Sequence, residues 1–85
     1  MKDLIKGIVS KELLLQWNEM VSSPNADHHV MFAAYHIIKK VAKGGTLSEV
    51  KEVFDKQNHS NASATLVLRV IERCCPNGKE LAKQL

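Results

Sequence analysis

The side chains of this chain that can do chemistry are mostly histidines and cysteines, and their spacing argues against a metal site. The candidate ligands are His28, His29, His36, His59 and Asp27. On a helix, His29 and His36 would lie about 10 Å apart along the axis, which is too far to share one ion. Cys74 and Cys75 are adjacent, so they cannot supply a Cys-x-x-Cys pair. We therefore expect histidines that are solvated or that lie at helix starts, with no bound metal.

The adjacent Cys74 and Cys75 are the only cysteines in the sequence. Neighbouring side chains on a helix point about 100° apart, and a disulfide between them would strain the backbone. The pattern predicts two free thiols, at least one of them packed as a small apolar side chain. A redox switch or an intermolecular bridge is the alternative, and it needs a cation such as Arg73 to stabilise a thiolate. Free thiols are typical of a reducing compartment, so we expect a cytoplasmic protein.

Signatures of catalysis and of membrane insertion are missing from the sequence. It has no nucleophile in a recognisable turn, no glycine-rich phosphate loop and no carboxylate pair placed for acid–base catalysis. The longest apolar runs are far shorter than the roughly 20 residues that cross a bilayer, and no export signal follows Met1. We expect no enzyme activity, no cofactor, no small-molecule substrate and no membrane partner.

Capping residues and the helical spacing of apolar residues predict an all-α fold. Ser10 caps one segment, and Thr46-Leu47-Ser48-Glu49 is a capping box that follows the helix stop Gly44-Gly45. The predicted helices run from Lys11 to about Val21, from about Ala26 to Lys43, from Leu47 to Lys56 and from Ala62 to Cys75, with a short turn capped by Asp3 before them and another from Lys79 to Leu85. We expect residues 1–85 to form one domain, a compact bundle of four to five helices built from two antiparallel helical hairpins, with residues 44–75 as one hairpin.

The chain also aligns with itself at an offset of 33 residues. The aligned positions are Leu14, Trp17, Met20 and Val21 with Leu47, Val50, Val53 and Phe54, and Ile37, Ile38, Lys40 and Gly45 with Val70, Ile71, Arg73 and Gly78. A period in this range is typical of stacked helical hairpins. In its glycine and apolar spacing, segment 35–54 resembles a repeat of the pentatricopeptide or tetratricopeptide type, although the Trp-Leu-Gly-Tyr pattern is missing. Two unrelated amphipathic hairpins of similar length also align this well, so both interpretations stay open.

Apolar residues outside a single helical stripe predict a surface for another protein. Leu13-Leu14-Leu15 covers nearly a full turn, and the residues off the main face of the longest helix are Val30, Phe32, Ala33 and Ile37. A helix that is apolar around more than half its girth is either central in the bundle or in contact with a partner. We predict Leu15 and Phe32 as the partner-binding residues. The sequence thus favours a small non-enzymatic adaptor or regulator that acts by protein–protein interaction, with homo-oligomerisation as its simplest form.

A helix-turn-helix regulator that binds DNA or RNA is the alternative. It would use the helices predicted at 47–56 and 62–75, together with the net charge of +3. Its nucleic-acid contacts would come from Lys39, Lys40, Lys43, Ser63, Thr65, Arg69 and Arg73. Against it, Ala62-Ser63-Ala64-Thr65 offers no Arg, Asn or Gln for bidentate base contacts in the first turn of the second helix. The connecting turn is also longer than the usual tight one.

Overall fold

Five α-helices account for most of residues 1–57 and 60–85, the parts of the chain that the computed structural model describes. They are α1 (Lys11–Val21), α2 (His28–Ala42), α3 (Leu47–Lys56), α4 (Asn61–Cys74) and α5 (Gly78–Gln84). The predicted all-α bundle of four to five helices is confirmed. None of these helices is long and apolar enough to cross a bilayer.

Side-chain caps set the start of four helices. The Ser10 hydroxyl accepts a hydrogen bond from the Leu13 N–H, and the Ser60 hydroxyl accepts one from the Ser63 N–H. The predicted capping box is present, because Thr46 and Glu49 each accept the other's backbone N–H, at 3.2 and 3.0 Å. The Asp27 carboxylate caps α2, which therefore begins two residues later than the apolar spacing predicts.

The core lies between α2 and α4. The buried residues of these two helices are Val30, Met31, Ala33, Ala34, Ile37, Ile38, Val67, Val70, Ile71 and Cys74. α2 packs against α3 and α4, and α4 packs against α1, α2 and α5. The apolar girth of α2 therefore reflects its central position, since Val30, Ala33 and Ile37 are buried while Phe32 is exposed.

The pairing of the helices differs from the hairpin predicted for residues 44–75. α3 packs on α2 rather than on α4, and any contact between α3 and α4 in the described ranges is slight. The cause is the narrow buried face of α3, which consists of Val50 and Phe54. A face that narrow can pack on any helix with a wide apolar surface, and the short connection after α2 brings α3 onto α2 first.

The first nine residues form successive turns held against α1, and the predicted helix cap at Asp3 is wrong. Asp3 adopts a left-handed backbone conformation with φ of 61°. Its N–H donates to the Asn18 side-chain oxygen and its carboxylate accepts from the Asn18 amide, both at 2.9 Å. The Trp17 indole N–H donates to the Met1 carbonyl at 2.9 Å, and Ile5 is fully buried. These contacts extend the core beyond the helices.

The predicted terminal turn is a short helix, α5, which begins at Gly78. A Cβ atom at Gly78 would meet the backbone carbonyl oxygens of Ile71 and Glu72, the second at 2.7 Å. Only glycine allows this approach, which folds α5 back onto the last turn of α4. Leu81 and Leu85 then pack against the core.

Candidate interaction grooves

The histidine and cysteine side chains do not assemble into a metal site in the described part of the chain. No group of three His, Cys, Asp or Glu residues within 1–57 and 60–85 is arranged to hold an ion. His59 and Asn58 lie outside the described residues. His28, His29 and His36 are all exposed on α2.

Both cysteines are free thiols buried at the end of α4. Burial raises the pKa of Cys74 and of Cys75 to about 11, and the Arg73 charge opposes this only in part at Cys74. Both thiols are therefore protonated at neutral pH, which makes them poor nucleophiles. The Cys74 sulfur lies 3.8 Å from the Met20 sulfur, as expected for a small apolar side chain in the core.

A first groove runs between α2, α3 and the start of α4, and we call it the lysine groove. It consists of two adjoining depressions of about 320 and 310 Å³ that share His36 and Gln57. One depression is lined by Lys39, Lys40, Lys43, Lys56 and Val53, and the other by Phe32, Ala33, His29, Val30, Ser60 and Ser63. Four lysines therefore face the same space, and none of the described lining residues is a carboxylate.

Two of the four lysines are already paired and two are not. Lys40 lies 3.3 Å from Glu49, and Lys56 lies 3.1 Å from Glu52. The Lys39 ammonium lies 5.8 Å from the centre of the Tyr35 ring, and neither Lys39 nor Lys43 forms an ion pair with a described residue. The groove therefore keeps an uncompensated positive charge.

The Glu49 carboxylate, which pairs with Lys40 but does not line the groove, has a lowered pKa. The largest cause of this lowering of the pKa is the hydrogen bond from the Thr46 backbone N–H. The hydrogen bonds from the Thr46 hydroxyl and from Lys40 lower the pKa further. The α3 cap and the Lys40 ion pair thus share one carboxylate, which fixes where Lys40 lies along α3.

A second groove lies between the end of α1, the start of α2 and α4, and we call it the arginine groove. Its volume is about 440 Å³. Its apolar lining consists of Met20, Ala26, Val30, Met31, Leu66 and Val70, and its polar lining includes Glu19, Asp27, Arg69 and Arg73. Carboxylates and guanidinium groups are present in equal number among these, so this groove is charge-balanced.

The charged side chains of the arginine groove differ in whether they already form hydrogen bonds or ion pairs. Arg73 donates to the Gln16 side chain at 2.6 Å and lies 4.0 Å from Glu19. The Asp27 carboxylate accepts the His29 and Val30 backbone N–H groups. Arg69 has no hydrogen bond or ion pair with any described residue.

The residues predicted from sequence fall into three places. Phe32, Lys39, Lys40, Lys43 and Ser63 line the lysine groove, and Arg69 and Arg73 line the arginine groove. Leu15 is 63% exposed and lines neither groove, and the Thr65 hydroxyl is bonded to the Asn61 carbonyl at 3.1 Å. The structure thus joins Phe32, predicted for a protein partner, with the lysines predicted for a nucleic acid.

Sequence reasoning missed several lining residues. Lys56 and Val53 enter the lysine groove only because α3 packs on α2, which no local pattern reveals. Leu66 has the helical spacing of the core positions Val67 and Val70, yet it is 41% exposed at the arginine groove. Its position at the edge of the buried stripe is the one signal that the sequence offered.

Comparisons with protein-family models, curated proteins and solved structures found no match to this chain.

Proposed function

We propose that this protein is a non-enzymatic adaptor that docks an acidic segment of a partner protein in the lysine groove. The observation that supports it is the convergence of four lysines and the half-exposed Phe32 along one groove. Carboxylates of the partner would pair with Lys39 and Lys43, which have no ion-pair partner among the described residues. An apolar side chain of the partner would cover Phe32.

The magnitudes suit a reversible interaction. Each exposed ion pair contributes roughly 0.2–1 kcal/mol, and covering the exposed half of an aromatic ring adds about 1 kcal/mol. Long-range attraction from the lysines raises the association rate and makes binding sensitive to salt. Such a site binds an exposed acidic segment weakly and quickly, as adaptors do.

Calorimetry with a pair of synthetic helical peptides tests this function. One peptide of about 15 residues carries Leu on one face and Glu on the other, and its twin has Lys at every Glu position. We expect the Glu-rich peptide to bind, more weakly as salt rises, and its twin not to bind. Lys39→Glu/Lys43→Glu should weaken binding at least about tenfold, a loss of about 1.4 kcal/mol. Lys11→Glu/Lys79→Glu, with the same charge change outside both grooves, is the control.

Equal binding of the two peptides, or binding that ignores the lysine substitutions, would contradict the proposal. Phe32→Glu should weaken the Glu-rich peptide further, because it removes the apolar contact and adds a repelling charge. Retention of helicity by circular dichroism would confirm that Phe32, 49% exposed, can be changed without unfolding the protein.

A nucleic-acid backbone is the second candidate, favoured by the same four lysines. Phosphates pair with lysine as carboxylates do, and release of counterions gives a steep salt dependence. The helix-turn-helix arrangement gains less support, because α3 and α4 both pack on α2 and Arg69 and Arg73 line the other groove. Mixed-sequence duplex DNA that binds more tightly than the Glu-rich peptide, and loses binding with Lys39→Glu/Lys43→Glu, would favour this candidate.

Self-association is a separate part of the proposal and involves Leu15. This side chain is 63% exposed on α1 and lies outside both grooves. Sedimentation velocity should show an oligomer that Leu15→Glu converts to a monomer. A monomer at all concentrations in the unchanged protein would remove this part and leave the groove proposal intact.

A further inference from the structure

The chain contains two helix pairs, α1–α2 and α3–α4, and the first helix of each pair packs on the second helix of the other pair. α1 packs on α4, and α3 packs on α2, while α2 and α4 pack on each other. Exchanging α1 with α3 and α2 with α4 leaves this set of contacts unchanged. These contacts are the ones expected of two helix pairs related by an internal two-fold, in which the first helix of each pair packs on the second helix of the other.

The residues follow the same relation at an offset of 33. The capping residues of the two central helices, Asp27 and Ser60, obey the offset. Positions that are almost fully buried also correspond: Trp17 with Val50, Ala34 with Val67, and Ile38 with Ile71. The periodicity seen in the sequence is therefore a structural repeat.

A polar contact between helices recurs with the same register. Lys40 of α2 contacts Glu49 of α3, and Arg73 of α4 contacts Gln16 of α1. Lys40 corresponds to Arg73 and Glu49 to Gln16 at the same offset. The caps of the central helices, the buried positions and this contact share one offset, so we infer that α1 lies on α4 as α3 lies on α2.

The internal two-fold also relates the two grooves. Lining residues of the lysine groove correspond to lining residues of the arginine groove: His36 to Arg69, Lys40 to Arg73, and Val53 to Met20. The largest change is at Ala33, whose counterpart is the exposed Leu66. The two grooves therefore share lining positions on equivalent helices, and they differ in the charge and size of the side chains at those positions.

We propose that the arginine groove is a second docking site, which takes a partner segment carrying a bulky apolar side chain and a single carboxylate. This rests on the proposed function of the lysine groove, and it makes the chain a bridge between two segments. Leu66 and Met20 offer an apolar surface, and Arg69 offers an unpaired cation to the carboxylate. Glu19 and Asp27 repel a segment with several acidic residues.

An amide NMR titration isolates this site. The probe is a helical peptide of about 15 residues with Leu on one face, one Glu beside it and neutral residues elsewhere. It is added to the Lys39→Glu/Lys43→Glu protein, so that failure of the lysine groove cannot affect the result. We expect shifts at Met20, Ser23, Leu66 and Arg69, and at least about a tenfold loss of affinity with Leu66→Glu. Leu47→Glu, at an equally exposed leucine outside both grooves, is the matched control.

Shifts that are absent, or that survive Leu66→Glu, would overturn the inference and leave the lysine groove untouched. A second peptide, with Gln in place of the Glu, should bind the unchanged protein more weakly than the single-Glu peptide does. The Arg69→Gln protein should bind the two peptides equally. Equal binding of the two peptides to the unchanged protein would overturn the role of Arg69.

Bridging has its own measurement. Saturation of the unchanged protein with the Glu-rich peptide should leave the affinity for the single-Glu peptide unchanged, because the two linings have only Val30 in common among the described residues. Competition between the two peptides would overturn a two-site adaptor. Failure of the Glu-rich peptide alone to bind would count against the proposed function and not against the arginine groove.

Discussion

The lysine groove and the arginine groove are built on the same two central helices, yet they differ in the side chains that line them. In the lysine groove, Ala33 and Val53 are small, so the lysines make up most of the charged and bulky lining. None of the described residues that line it is a carboxylate. In the arginine groove, Leu66 and Met20 supply apolar surface, and the charges balance. Two helix pairs with the same packing partners therefore carry grooves of different charge and apolar surface.

The buried side chains of α1 and α3 differ as well, and the largest predicted effect concerns them. Trp17 is the fully buried residue of α1, and its counterpart on α3 is the smaller Val50. Trp17→Ala should lower the free energy of unfolding by about 3–5 kcal/mol, and Val50→Ala by a smaller amount, because the cavity left behind is smaller. Urea unfolding followed by circular dichroism measures both. Equal losses would contradict this difference between the two side chains.

The second largest predicted effect is a loss of stability at alkaline pH, which arises in one half of the chain only. Cys74 corresponds to Val41, so only the end of α4 carries a titrating core residue. Because burial raises the folded-state pKa of each thiol from 9.0 to about 11, the unfolded chain ionises first. Stability should fall as pH rises above 9 and level off past 11, by at most about 2–3 kcal/mol per thiol.

Urea midpoints between pH 7 and 11 for the unchanged protein and for Cys74→Ala/Cys75→Ala check this expectation. The double variant starts from a lower stability and should show a shallower decline with pH, since lysine titration is common to both proteins. Parallel curves would show that the thiols do not contribute.

The glycines after the two central helices should differ in their tolerance of a side chain. Gly78 approaches backbone carbonyl oxygens, whereas the counterpart Gly45 approaches the flexible Lys40 side chain as well as its carbonyl, at 3.0 Å. Gly78→Ala should cost about 1–3 kcal/mol and Gly45→Ala less, because a lysine side chain can move and backbone cannot. Thermal unfolding of both variants tests this order. A costlier Gly45→Ala would reverse it.

The smallest predicted effect comes from making the recurring polar contact alike in both halves. Gln16→Glu should give Arg73 an ion pair like that of Lys40 with Glu49. Such a pair is stabilising when the carboxylate is charged and is lost as pH falls through its lowered folded-state pKa. The variant should gain slightly in melting temperature at pH 7 and lose that gain at pH 3. A gain that persists at pH 3 would exclude an ion pair as its cause.

The helices could be predicted from the sequence much better than their partners could. Ser10, Thr46 and Gly44 mark boundaries through local hydrogen bonds and backbone conformation, so their effect is readable in the chain itself. The choice of α2 by α3 depends on the competition between distant apolar faces. Asp3 could not be placed because its partner, Asn18, lies fifteen residues away.

The residues of the candidate sites could likewise be predicted where they depend on local sequence, and not where they depend on long-range packing. Phe32 and the lysines at the end of α2 could be identified singly, since exposure and charge follow from helical position. Their convergence with Lys56 depends on how α3 returns along α2. The 33-residue offset was visible as an alignment of the sequence with itself, but the packing partners of the helices were not, because the same offset fits stacked and exchanged helix pairs equally.

The hydrogen bond between Trp17 and Met1 gives the protein an internal optical reporter. Trp17 is the single tryptophan of the sequence, fully buried and bonded through its indole N–H. Its fluorescence therefore comes from one known place, where the first nine residues meet α1. Displacement of that segment would expose the ring to water and shift its emission to longer wavelength. Detachment of the first turns can thus be observed while the helices themselves stay folded.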